Sequence, residues 1–176
     1  MRKYSLFAYL SLLAVGCVGA PMDSDGSQEG AQDPAVGQLA QEQRNELPSA
    51  QVRQLVTDYY VDVRGLDLNN WLANFDKNAT MEDPVGSGRI KGRDKLAGAY
   101  GQAVASFNVL DMREQDVFTP DKTNEAAVRW TATITFKNGL KVDAFNGITN
   151  LKFNKDGKIC DLRAFYDPSV LLNAHF

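Results

Sequence analysis

Residues Ala79–Gly88 read ATMEDPVGSG, and the backbone they adopt decides how the rest of the chain is read. Pro84 keeps its predecessor out of helical geometry, so Asp83 is extended and ends a short strand running from Thr80. Side chains alternate along a strand. Met81 and Asp83 therefore share one face, Thr80 and Glu82 the other. Met81 belongs inside, which turns Asp83 inward and leaves Glu82 to water. An inward carboxylate has two readings. It caps the turn at Gly86-Ser87 by accepting backbone N–H groups, or it is a general base at the mouth of an apolar cavity. Burial without partners raises such a group's pKa.

Upstream, the domain begins near Pro48, with Ser49 as a helix cap. Val52, Leu55, Val56, Tyr59 and Val63 fall on one helical face, and Gly65 ends the helix. Asp67 caps a second helix with Leu68, Trp71, Leu72 and Phe75 facing inward. Downstream, the loop Pro84 to Gly92 leads to a third helix bearing Leu96, Tyr100 and Ala103. After Ala105 the period changes to two. Trp130, Ala132, Ile134 and Phe136 are buried; Arg129, Thr131, Thr133 and Thr135 face water. Asn138-Gly139 marks a hairpin turn. A strand from Leu140 to Phe153 follows, then a turn at Asn154 to Gly157. A last strand, Ile159 to Tyr166, puts Cys160, Leu162, Ala164 and Tyr166 on one face. The pattern predicts an α+β domain in which three helices pack on one face of a strongly curved antiparallel sheet.

The chain has 176 residues and a formal net charge of −3, which gives no footprint for nucleic acid. Residues 1–17 begin with Arg2 and Lys3, continue apolar, and read as a secretory leader. Ala14-Val15-Gly16-Cys17 resembles a bacterial lipobox. It predicts lipidation at Cys17 and an exported protein anchored to a membrane by lipid, facing the periplasm or the exterior. The alternative is ordinary cleavage after Val18-Gly19-Ala20 and a secreted soluble protein, although Pro21 disfavours it. Residues 18–47 are acidic, poor in large apolar side chains, and read as a disordered linker. The folded domain is 48–172. With Cys17 lipidated or removed, Cys160 alone remains and no internal disulfide forms. The single histidine, His175, lies at the end of the chain, and no spacing suggests a metal site or a cofactor.

NATMEDPVGSG (78–88), with Tyr59, Phe75, Gly92 and Tyr100 at matching distances, resembles the Δ5-3-ketosteroid isomerase (steroid Δ-isomerase) family of the nuclear transport factor 2-like, SnoaL-like superfamily. TNEAAVRWTATITF (123–136) and LKFNKDGKICDLRAFY (151–166) extend the resemblance over Ser49 to Tyr166. It implies a cone-shaped fold. It implies that Asp83 is the base, that Tyr59 donates to the substrate oxygen, and that Tyr100 supports Tyr59 by a hydrogen bond. Phe75, Val85, Trp130, Phe136, Leu162, Ala164 and Tyr166 would line the pocket. The pattern breaks at two positions. Thr149 stands where the family has a second oxyanion acid, and Gly147 replaces a pocket proline. Asp143 is six residues from Thr149, ~20 Å along a strand, and cannot take its place. Thr149 is left as a weaker, supporting donor.

The resemblance implies an isomerase that moves a proton next to a ketone in a hydrophobic, steroid-like or polyketide-like substrate. A carboxylate can take and return the proton, while aimed donors stabilise the dienolate oxygen. The alternative is a non-catalytic lipoprotein of the same fold that holds a small apolar molecule. The face carrying Arg129, Thr131, Thr133 and Thr135 fits a homodimer interface or plain solvent.

Overall fold

The computed structural model describes residues 46–172. The expected leader, Cys17, the linker up to residue 45, and His175 lie outside the described residues. Two helices come first, α1 (Ser49–Gly65) and α2 (Leu68–Ala73). Strands β1 (Phe75–Glu82) and β2 (Ile90–Lys91) precede α3 (Arg93–Ser106). Then come β3 (Phe107–Phe118), β4 (Glu125–Phe136), β5 (Lys141–Phe153), β6 (Ile159–Phe165) and a short α4 (Ser169–Leu172).

The strands form one sheet in the order β2-β1-β6-β5-β4-β3. It is mixed, not wholly antiparallel as expected, because β1 runs parallel to β6. Among the described residues, the first strand returns beside the last, and only this pairing has strands pointing the same way. Register shifts within β3–β4, β4–β5 and β5–β6 bend the sheet, as bulges do. Its concave face receives the helices. Val52, Val56, Tyr60 and Val63 of α1 are buried with Val128, Trp130, Leu151 and Leu162 in a single cluster.

Local details depart from expectation where tertiary contacts decide. Ser49 does not cap α1; Pro48 precedes the helix, and the Ser49 hydroxyl bonds Asp121 instead (3.2 Å). The left-handed residue that closes α1 is Leu66 (φ 51°), not Gly65. Phe75 opens β1 instead of extending α2. β3 escaped the period-two reading because its two bulges break the alternation of buried and exposed positions.

β4 alternates as expected: Trp130, Ala132, Ile134 and Phe136 are buried, while Arg129 and Thr133 are exposed and Thr131 and Thr135 half-buried. Two apolar side chains, Ile148 and Phe165, are exposed and oppose each other across β5–β6.

Asp67 caps α2 as its position predicts, accepting from the N–H groups of Asn69 (2.8 Å) and Asn70 (3.0 Å). Asp67→Ala should lower the unfolding free energy by about 1 kcal/mol, the usual worth of such a cap, as read from urea denaturation.

Candidate active site

Between the helices and the concave face of the sheet lies a hollow of about 220 Å³. Every layer contributes: Tyr59 and Val63 from α1, Trp71 from α2, Tyr100 and Ala103 from α3, and Trp130, Ala132 and Ile134 from β4. Phe145 and Thr149 of β5, Leu162 and Ala164 of β6, and Met81, Asp83 and Tyr166 complete it. Most of this wall is hydrocarbon.

Asp83 sits one residue past β1. Its position is fixed by the parallel register Met81↔Leu162 and Glu82↔Arg163 and by the Val85 N–H donating to the Ala164 carbonyl (2.7 Å). More than a third of Asp83 remains accessible, yet burial among the surrounding protein raises its carboxyl above the usual value of 3.8. Asp83 lines the unfilled hollow, so surface left open there coexists with desolvation by the surrounding protein. The neighbouring Tyr166 hydroxyl works against the rise.

The turn after Asp83 is capped by its neighbour. Glu82 accepts the Gly86 N–H (2.9 Å) and pairs with Arg163 (3.3 Å). The expectation that Glu82 simply meets water is corrected: it is the turn cap, and Asp83 is left for the hollow. The intervening Asp83–Pro84 peptide is cis.

Tyr59 is buried, with its ring edge-on to Tyr60 (5.2 Å between centroids) and Phe75 (6.1 Å). Burial, then the neighbouring Tyr60 and Asp83, hold its phenol well above the usual tyrosine range, so it stays protonated. The neighbouring Trp71 side chain works against the rise.

Tyr100 does not support Tyr59 as expected. Its hydroxyl donates to the Val63 carbonyl (2.8 Å) near the end of α1, and its ring stacks on Trp71 (4.3 Å, 6° between planes). The last-turn carbonyls of a helix lack intrahelical donors, and they take this proton. Trp71 is the neighbour that works against the upward shift of the Tyr59 phenol. The sequence marked it only as an inward residue of α2.

Thr149 is almost fully buried and accepts the Trp130 indole N–H at 2.9 Å. Trp130 reaches it by lying across its cross-strand partner Gly147. A Cβ on Gly147 would stand 2.2 Å from the indole ring, so only glycine fits. The two departures from the family pattern are therefore one arrangement: glycine makes room for the indole, and the threonine oxygen satisfies its N–H. The buried Tyr60 hydroxyl lies near Thr149 but has no hydrogen-bond partner within 3.5 Å.

Three expected pocket residues lie outside the lining. Phe75 is buried behind it, packed on Trp71 (4.4 Å). Val85 is held by the backbone bond to β6. Phe136 belongs to a separate cluster with Ile134 and Val142, edge-on to Phe107 (5.1 Å). The lining also includes Leu110 and Met112 of β3 and Leu171 of α4, which no local pattern assigned. Among the described residues, no group of three or more His, Cys, Asp or Glu side chains could hold a metal ion.

The geometry, an acid and hydroxyl donors facing one apolar hollow in a cone of helices and sheet, is matched by sequence. Residues 56–162 fit the SnoaL-like domain model, and the chain belongs to that family. It is 28% identical over 127 residues to a steroid Delta-isomerase of Nocardioides simplex, covering 70% of this chain and 96% of that one. Two solved structures share the fold. The epoxide hydrolase/cyclase-like enzyme SalBIII, of pyran ring formation in the polyether salinomycin, aligns with a TM-score of 0.61 at 23% identity over 68% of this chain and 93% of its own. RV0760c from Mycobacterium tuberculosis, in complex with estradiol-17β-hemisuccinate, aligns at 0.60 with 20% identity over 68% of this chain and 96% of its own.

Because the folded pKa of Asp83 lies above 3.8, the unfolded chain releases this proton first as pH rises. The native state is penalised above 3.8, fully so once the pH passes the folded pKa. Asp83→Asn should therefore raise the melting temperature at pH 7, with the gain shrinking as pH falls toward 3.8 and vanishing below it.

Proposed function

We propose that the domain is an isomerase that shifts a carbon–carbon double bond in a hydrophobic ketone by proton transfer. Asp83 takes a proton from the carbon next to the carbonyl. Tyr59 donates its phenolic proton as a hydrogen bond to the carbonyl oxygen, on which charge accumulates. Asp83 then returns the proton farther along the conjugated chain, so no proton is gained or lost overall.

One observation carries this reading: Asp83 and Tyr59, both displaced upward in pKa by burial, line the same apolar hollow. The displacement suits the task. A carboxylate base moved toward neutrality accepts a carbon-bound proton more readily. A phenol that keeps its proton is a donor already oriented toward a developing oxyanion. Trp130 gives its N–H to the Thr149 oxygen, freeing that hydroxyl's proton for a guest. Thr149 would then be a second, weaker donor. The named relative, a steroid Delta-isomerase, supports the reaction class. The motif at 14–17 supports an exported, lipid-anchored form.

A binding-only role is the second reading. Thr149 favours it, because a neutral hydroxyl replaces the acid that the isomerase pattern carries.

The test is to incubate the purified protein with a bicyclic β,γ-unsaturated ketone and with a Δ5-3-ketosteroid, and to follow conjugated-enone absorbance. Asp83→Asn should lower kcat by about 10²-fold or more, and Tyr59→Phe by roughly 10²–10³-fold. Turnover unchanged in Asp83→Asn contradicts the assigned base. Saturable binding without turnover of either ketone selects the binding-only role.

A further inference from the structure

The hollow is small for a steroid such as the estradiol ester bound by one of the proteins that share its fold. An apolar cavity of ~150 Å³ holds one benzene ring, and sites that enclose drug-sized ligands run to roughly 300–1,000 Å³. At about 220 Å³ this hollow falls between the two. Trp130 forms part of its wall and is 1% exposed. The indole cannot swing aside freely. Phe145 meets it edge-on at 5.6 Å and Tyr166 at 5.7 Å, Gly147 lies beneath it, and its N–H is tied to Thr149.

We propose that Trp130, seated over Gly147 and tethered to Thr149, is the specificity-determining residue, restricting the site to compact ligands of one or two fused rings and excluding a fully enclosed four-ring skeleton. This rests on reading the hollow as the substrate site. The chemistry at Asp83 and Tyr59 reaches only atoms that enter the hollow. A longer molecule must leave its remaining rings in water and loses their burial. Substrate size is thus set by β4 and β5, on a different part of the sheet from the residue that moves the proton.

The test is binding, which needs no turnover. 2-Naphthol and estradiol are both phenols and differ mainly in ring count, so each presents the same oxygen to the donors. Their affinities are measured by calorimetry for the whole protein and for Trp130→Ala and Trp130→Leu. The native protein should bind 2-naphthol about tenfold or more tightly than estradiol, the scale expected when a ligand overfills a packed site. The variants should reverse or abolish that preference by gaining affinity for estradiol. Equal or tighter binding of estradiol by the native protein overturns the proposal, and so does binding of neither phenol. If both variants fold and keep the native ratio, Trp130 is not the filter. If neither folds, Trp130→Phe, which keeps a ring but is smaller than the indole, takes their place: a gain in estradiol affinity supports the filter, and an unchanged ratio overturns it. Size selection without any enone turnover would leave the filter standing and remove the isomerase; turnover with estradiol preferred would do the opposite.

Discussion

The parallel pairing of β1 with β6 is the constraint on which the site depends. It joins residues about eighty positions apart, Met81 to Leu162 and Glu82 to Arg163, and the Val85 bond to Ala164 continues it past the end of the strand. Two results follow from this one register. Asp83 is carried to the hollow beside Tyr166, and Glu82 is turned to cap the Gly86 turn and pair with Arg163. A slip by one residue would exchange the two faces. It would put Glu82 where Asp83 stands and leave the turn without its cap.

Desolvation is the common currency of the remaining groups. It raises Asp83 and Tyr59 together, and their mutual proximity adds to the Tyr59 shift. An acid and a phenol so displaced would destabilise the fold if nothing offset them. The neighbouring Tyr166 works against the first shift, and Trp71 against the second. Both neighbours are aromatic, so they act on these groups without bringing water in. Aromatic residues with one polar tip suit such a place. The same logic explains Thr149, whose oxygen satisfies an indole that would otherwise be an orphaned donor in the core.

Much of this was legible in the sequence because it depends on local rules. Helical spacing located the inward faces of α1 and α3. Alternation located β4, and Pro84 with Met81 oriented Asp83. The Asp67 cap needed only its own next three residues. The illegible parts share another trait: they turn on which partner is nearest in space. Alternation could not tell that Glu82 would find Arg163, nor that the Tyr100 hydroxyl would reach the Val63 carbonyl before the Tyr59 oxygen. The parallel β1–β6 pairing leaves no mark in either strand. β3 hid because bulges broke its period. Gly147 and Thr149 were visible as departures from a family pattern, but their reason lay in the Trp130 ring across the neighbouring strand.

The most direct measurement is a carbon NMR titration of the Asp83 carboxyl in the native protein and in Tyr166→Phe. The account predicts a midpoint above 3.8 in the native protein and a higher one in the variant, where the opposing hydroxyl is gone. A midpoint at or below 3.8, unmoved by Tyr166→Phe, would mean that the carboxylate stands in bulk water, and would contradict the account.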